Sequence, residues 1–206
     1  MNTRTFFFGL FVAFGLPWLL LIGLPYGSLK ALEPRVLDED GLEIFPPPPR
    51  GLILHGHRVY MAQGCYQCHT QVIRPTYAGP DRWRFSGETP RETQPLDFLH
   101  VGPIAPIGLQ RIGPDLANLG YRTEDASEIF VRLYDPRALH SWSVMPSFSH
   151  LFDKRRIQGQ RSANALPLDT VPDGWEVVPT FEAKALVTYL MSLRKDSQTE
   201  PSENEN

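Results

Sequence analysis

Residues 56–75 read GHRVYMAQGCYQCHTQVIRP, and the pentad Cys65-Tyr66-Gln67-Cys68-His69 inside that stretch decides how the rest of the chain is read. CxxCH is the attachment signature of a c-type haem. The spacing has a physical reason. Two thiols three positions apart on a helical turn can reach the two vinyl groups of one porphyrin, and the next residue, His69, then points its imidazole at the iron. Two other readings compete. A zinc site would want a second ligand pair, and the chain holds no cysteine besides Cys65 and Cys68. A redox dithiol would sit in a βαβ context, and no such pattern is visible. The expected cofactor is one covalently bound haem c.

The second iron ligand has to come from elsewhere in the chain. Of the four methionines, Met1 is terminal, Met61 lies one turn before Cys65 on the His69 side, and Met191 falls in an apolar helical pattern. Met145 remains, in the loop-like string Ser143-Val144-Met145-Pro146-Ser147-Phe148. His140 and His150 are the alternatives. Methionine–histidine ligation raises the potential relative to two histidines, so the choice bears on function. Gly113-Pro114-Asp115-Leu116 is a further marker. In small c-type cytochromes a Gly-Pro loop packs beside the proximal histidine, and the proline carbonyl accepts its Nδ1–H. Pro114 is assigned that place, and such a bond fixes the tautomer and tunes the metal. Taken alone, the string is an ordinary turn before a helix.

Two helices should flank this site. Leu52 to Gln63 leads into it, with Gly56 and Tyr60 on one face. Phe181 to Leu193 carries Leu186, Tyr189, Leu190 and Leu193 at i, i+3, i+4, i+7 spacing. In class I cytochromes c the first and last helices cross with a glycine against an aromatic, and Gly56 and Tyr60 against Leu186 and Tyr189 would suit that contact.

Toward the N-terminus, Phe6 to Leu24 is a run of nineteen uncharged residues. It is long enough to cross roughly 30 Å of hydrocarbon as a helix. A cleaved signal peptide would have a shorter apolar core and a small-x-small exit, which Pro25 to Lys30 does not offer. The expected layout is a transmembrane anchor over residues 1–27 and an acidic, proline-rich linker over 28–50. A monohaem domain over 51–195 and a polar tail over 196–206 complete it. Asp38-Glu39-Asp40 and the four prolines Pro46 to Pro49 mark the linker, which should be extended and stiff. The fold class is mainly α: a single transmembrane helix followed by a class I cytochrome c-like domain with long loop insertions, the twenty prolines and sixteen glycines promising many loops. A net charge of −3 leaves no basic footprint for nucleic acid.

The whole of GHRVYMAQGCYQCHTQVIRP closely resembles the monohaem subunit (subunit II) of cbb3-type cytochrome c oxidases. The shared features are a Gly-Cys-Tyr-x-Cys-His core, Gln71 two residues past the histidine, and the Arg74-Pro75 pair. QRIGPDLANLG (residues 110–120) and LYDPRALHSWSVMPSFSHL (residues 133–151) resemble two further segments of that family. Departures are Arg82-Trp83-Arg84, where the family commonly has an Arg-Tyr-Gly element, and His140 in place of a proline. Residues 86–109 and 154–180 fit the pattern poorly.

The resemblance implies a non-catalytic electron-transfer subunit in the bacterial inner membrane, with its haem domain on the periplasmic side. It would accept electrons from a dihaem cytochrome c subunit or a soluble cytochrome c and pass them to a b haem of the catalytic haem-copper oxidase subunit. The cytochrome c subunit of a nitric oxide reductase and a free-standing membrane-anchored carrier are the alternatives. Arg74 is expected to meet a haem propionate, since a guanidinium fork suits a carboxylate. Trp142 either lines the haem edge or packs.

Overall fold

A computed structural model describes residues 2–36, 44–79, 91–100, 105–123 and 125–195. Asp38-Glu39-Asp40, Arg82-Trp83-Arg84 and the tail from residue 196 lie outside the described residues. The chain divides into two compact units, one formed by Met1–Pro47 with Gln94–His100 and the other by Pro48–Thr93 with Val101–Asn206.

In the first unit, α1 (Thr3–Lys30) is one helix of 28 residues, about 42 Å at the α-helical rise. It continues three residues past the anchor boundary expected from the sequence. None of its most apolar window is buried, and its length and composition suffice to cross a membrane. Two wider π-type stretches, Phe11–Gly15 and Leu19–Gly23, each end two residues before a proline, Pro17 and Pro25. A proline ring collides with the carbonyl four residues earlier in a regular helix, and a widened turn relieves that collision. Beyond α1, β1 (Arg35–Val36) pairs antiparallel with β2 (Ile44–Phe45). The chain therefore doubles back within residues 28–50, and the linker is not extended throughout as its composition suggested.

The second unit is built on a helix crossing. Helix α2 (Gly51–Ala62) packs against α6 (Phe181–Ser192). A Cβ added at Gly56 would stand 2.6 Å from the Ala185 carbonyl carbon, 2.7 Å from Tyr189 Cβ and nearer still to the Ala185 oxygen. Only glycine permits that approach. Tyr60 and Leu186 are wholly buried beside it, and the rings of Tyr60 and Tyr189 lie 5.5 Å apart. Thr180 caps α6 by accepting the Ala183 N–H on its hydroxyl.

Short helices α3 (Leu119–Arg122), α4 (Ala126–Tyr134) and α5 (Pro136–Leu139) close the rest of the core. Ile129, Val131 and Leu133 of α4 are buried in it. α3 abuts the end of α6, where Gly120 N–H donates to the Leu193 carbonyl and Asn118 Oδ1 accepts Lys195 N–H. These bonds satisfy groups that a helix terminus leaves open.

An element that the sequence did not suggest completes the unit. β3 (Phe152–Arg156) and β4 (Trp175–Pro179) form an antiparallel hairpin in the stretch that fitted the family pattern poorly. Phe152, Val177 and Leu166 join the core from it. Glu176 is only 3% exposed. It accepts from Ser162 N at 2.7 Å and Arg155 Nε at 2.8 Å, which hold its carboxyl below the usual range.

Candidate functional site

The cysteine motif begins where α2 stops. Cys65–Gln67 forms a single 3-10 turn, closed by Cys68 N–H and His69 N–H donating to the Cys65 carbonyl. Both thiols are unbridged and half-buried. Burial pushes the Cys65 thiol up to about 11. That is the opposite of the depressed, activated thiolate of a redox dithiol.

Cys65, Cys68 and His69 line a cavity of about 620 Å³. Its size falls in the roughly 300–1,000 Å³ range of small-molecule and cofactor sites. The cavity reaches the core at Tyr60, Leu116, Ile129, Leu133, Leu186 and Leu190, so most of its floor is apolar. Pro114 and Met145 line the same cavity as the cysteines.

His69 is held on two sides. Its Nδ1 lies 2.8 Å from the Pro114 carbonyl oxygen. A carbonyl can only accept, so Nδ1 carries the proton and Nε2 keeps its lone pair. Gly113 lies under the ring: an added Cβ would stand 2.7 Å from Nδ1 and 2.8 Å from Nε2. Burial lowers the pKa of His69, against the Pro114 bond that raises it, and so favours the neutral imidazole. A neutral imidazole with a free Nε2 is the form in which histidine binds metals.

Met145 sits in the loop between α5 and the 3-10 turn Ser149–Leu151. Two bonds to the end of α4 anchor that loop, Phe148 N to Leu133 O at 2.8 Å and Ser147 Oγ to Tyr134 O at 2.5 Å. Met145 is half-buried and packs on the core. Met61 and Met191 also pack on the core but do not line the cavity. His140 lines it, exposed and stacked on Trp142 with ring centroids 5.3 Å apart. His150 instead meets Gln63 Oε1 at 2.8 Å. Trp142 lines the cavity while remaining 79% exposed, so it stands at the mouth.

Arg74 is not brought to this site. It is absent from the cavity lining, and its guanidinium lies over Gly79, where an added Cβ would stand 2.7 Å from Cζ. The segment that carries it runs off toward residues 92 and 93, with Ile73 N bonded to Thr93 Oγ1 and Thr76 N to Glu92 Oε1. The cations in the cavity wall are Arg122 and Arg132, neither singled out by the sequence. Arg132 pairs with Glu128 one helical turn earlier. Arg122 donates to the Asp115 carbonyl.

The donor set and the cavity fit a haem. Two thiols, a neutral imidazole and a thioether line one largely apolar space, and the imidazole nitrogen that could bind iron is the one not engaged by Pro114. Comparison with curated proteins found no match. The family model described as "Cytochrome C oxidase, mono-heme subunit/FixO" matches residues 46–172, which span the helix before the cysteine motif, the Gly-Pro loop and the Met145 loop. The chain therefore belongs to the mono-haem cytochrome c oxidase subunit (FixO) family.

Proposed function

We propose that this subunit carries one haem c in the cavity described above, thioether-linked to Cys65 and Cys68, with His69 and Met145 as iron ligands. The observation that carries the reading is the shared cavity: Cys65 and Met145, 80 positions apart in sequence, line one space of haem-compatible size and apolarity. When bound, the haem supplies one-electron redox chemistry at near-constant geometry. The protein's residues supply the rest. Pro114 fixes the His69 tautomer, the core side chains exclude water, and Arg122 and Arg132 offer positive charge to the porphyrin carboxylates in place of Arg74. The Gly56 crossing of α2 and α6 supports a class I cytochrome c-like domain over residues 51–195, joined by a linker over 28–50 to an anchor over 1–27, with a tail over 196–206.

In the complex, the subunit takes electrons from a dihaem cytochrome c subunit or a soluble cytochrome c. It hands them to a b haem of the catalytic haem-copper subunit, where oxygen is reduced. The anchor lies in the lipid of the bacterial inner membrane, with the haem domain on the periplasmic side. Purification of the full chain from membranes in mild detergent tests this. The expected result is a haem that stays with the chain under denaturing conditions, a c-type pyridine haemochrome spectrum, and a co-purifying subunit containing b haem. A chain recovered alone, with no b haem in its spectrum, would sink the oxidase reading. Haem lost on denaturation would sink the covalent one.

A further inference from the structure

We infer that Asp115, acting with Arg111 and Thr70, is a positioning residue that holds the Pro114 carbonyl on His69 and so sets the electronic character of that imidazole. This inference rests on the reading of His69 as an iron ligand. It concerns side chains to which the sequence reading gave no role.

The starting point is the ladder of bonds between residues 68–72 and the Gly-Pro loop. Gly113 N–H donates to the Cys68 carbonyl at 2.9 Å, and Leu116 N–H to the Thr70 carbonyl at 2.7 Å. The His69–Pro114 bond lies between these two rungs. On the far side, one carboxylate closes the ladder. Asp115 Oδ2 accepts from Thr70 Oγ1 at 2.5 Å, Val72 N at 2.9 Å and Arg111 Nη2 at 3.2 Å, and Oδ1 accepts from Ala117 N at 2.9 Å. Arg111 returns to the same segment, with Nε on Thr70 Oγ1 at 2.6 Å and Nη2 on the Val72 carbonyl at 2.5 Å.

The result is a closed ring. Arg111 donates to the Thr70 hydroxyl, that hydroxyl donates to Asp115, and Asp115 is paired back to Arg111. Both charged side chains are largely buried, 21% and 12% exposed, so solvent and salt screen the pair much less than a surface pair. A buried ion pair is retained at a cost unless its remaining donors and acceptors are satisfied. Here Asp115 and Arg111 both bond Thr70 and Val72, just after His69, and Asp115 also bonds Ala117 N, just after Pro114. One peptide bond separates Asp115 from Pro114, and one separates Thr70 from His69. Groups that orient a metal-bound histidine through its second nitrogen typically change metal affinity 10–100-fold when removed.

The sign follows from the chemistry. A firm Nδ1–H bond to a carbonyl gives the imidazole more anionic character, which favours oxidised over reduced iron. Loosening it should favour the reduced form and raise the potential. The test uses the full-length, haem-loaded chain in detergent. It compares the parent with Asp115→Asn, which keeps the shape but replaces one of the two accepting oxygens with an NH2 and so cannot serve all four former contacts, and with Thr70→Ala as a milder second variant. The readings are haem content, reduction potential, thermal midpoint and hydrogen exchange of the His69 Nδ1–H by NMR.

The expected result is retained haem, faster Nδ1–H exchange, and a three- to tenfold shift of the redox equilibrium toward the reduced state. Tenfold equals about 59 mV for a one-electron couple. A lower thermal midpoint with unchanged potential and unchanged exchange in both variants would overturn the inference, because the ring would then serve stability alone. Failure of the underlying reading looks different: the parent itself would carry no haem, or would keep its spectrum in a His69→Ala variant.

Discussion

Replacement of Gly113 by alanine should strike His69 directly. The new Cβ would lie 2.7 Å from Nδ1 and 2.8 Å from Nε2, and closer to Cε1 between them. Ordinary contacts of this kind stand at about 3.5–4.0 Å, so something must move by about 1 Å. The loop cannot easily give. Its next residue is a proline with fixed φ, and the rungs at Gly113 and Leu116 pin it on both sides. The ring is the freer partner. Displaced by that amount from the carbonyl, the 2.8 Å bond to Pro114 opens toward about 3.8 Å, beyond hydrogen-bond range. Overpacking costs about 1–3 kcal/mol and the lost bond about 0.5–1.5 kcal/mol, so destabilisation should fall between about 1.5 and 4.5 kcal/mol. Parent and variant chains, extracted in the same detergent, would be compared by haem content and thermal unfolding. The expected outcome is a lower midpoint together with poorer or altered haem incorporation. A Gly113→Ala chain with parental haem content, spectrum and midpoint would refute the idea that the Gly-Pro loop seats the histidine.

Gly56→Ala should also destabilise, because its Cβ meets backbone of α6 rather than a movable side chain tip. Alanine's better helix propensity returns only about 1 kcal/mol against an overpacking cost of about 1–3 kcal/mol or more. A midpoint at or above the parent's would remove Gly56 from the crossing. Met145→His should lower the potential of the haem-loaded chain and abolish any methionine–iron charge-transfer band, and an unchanged spectrum would take Met145 out of the site. His57 is buried against Tyr189 with ring centroids 5.4 Å apart, and burial, with Arg58 nearby, lowers its pKa. Folding therefore favours its neutral form: the stabilisation is fully present above the unfolded value of about 6.5 and is lost as pH falls toward the lower folded value. Midpoints measured from pH 8 to 5 should drop on the acid side, and His57→Phe should flatten that drop; an identical slope in the variant would assign it to other groups.

What was legible in the sequence follows from how local each cause is. The cysteine motif was readable because its residues are contiguous, and the structure brings Cys65, Cys68 and His69 to one cavity from a single turn. Helices α2 and α6 were readable because each buries one face at helical spacing, and Gly56 marks where backbones meet. The β3–β4 hairpin was not. Only Phe152 of β3 is buried, its other four residues are exposed, and β4 places Glu176 in the interior, so neither strand alternates. Glu176 is tolerated there only through Arg155 and Ser162, contacts no local pattern announces.

Arg74 and Arg111 carry the same lesson inside the site. The chemistry assigned to Arg74 is sound: a guanidinium does suit a porphyrin carboxylate. Its place in the fold was what the sequence could not give, since the segment after His69 turns away toward Thr93. Arg111 and Asp115 stand four residues apart, a spacing at which opposite charges on a helix would pair. They pair here across a loop instead, around Thr70 and Val72, some forty residues earlier. Asp115 looked like part of a turn because its partners are distant in sequence. In the fold its carboxylate accepts both the Thr70 hydroxyl and the Val72 N–H of the segment that follows His69, which is why its replacement separates a seat for the histidine from a mere brace for the loop.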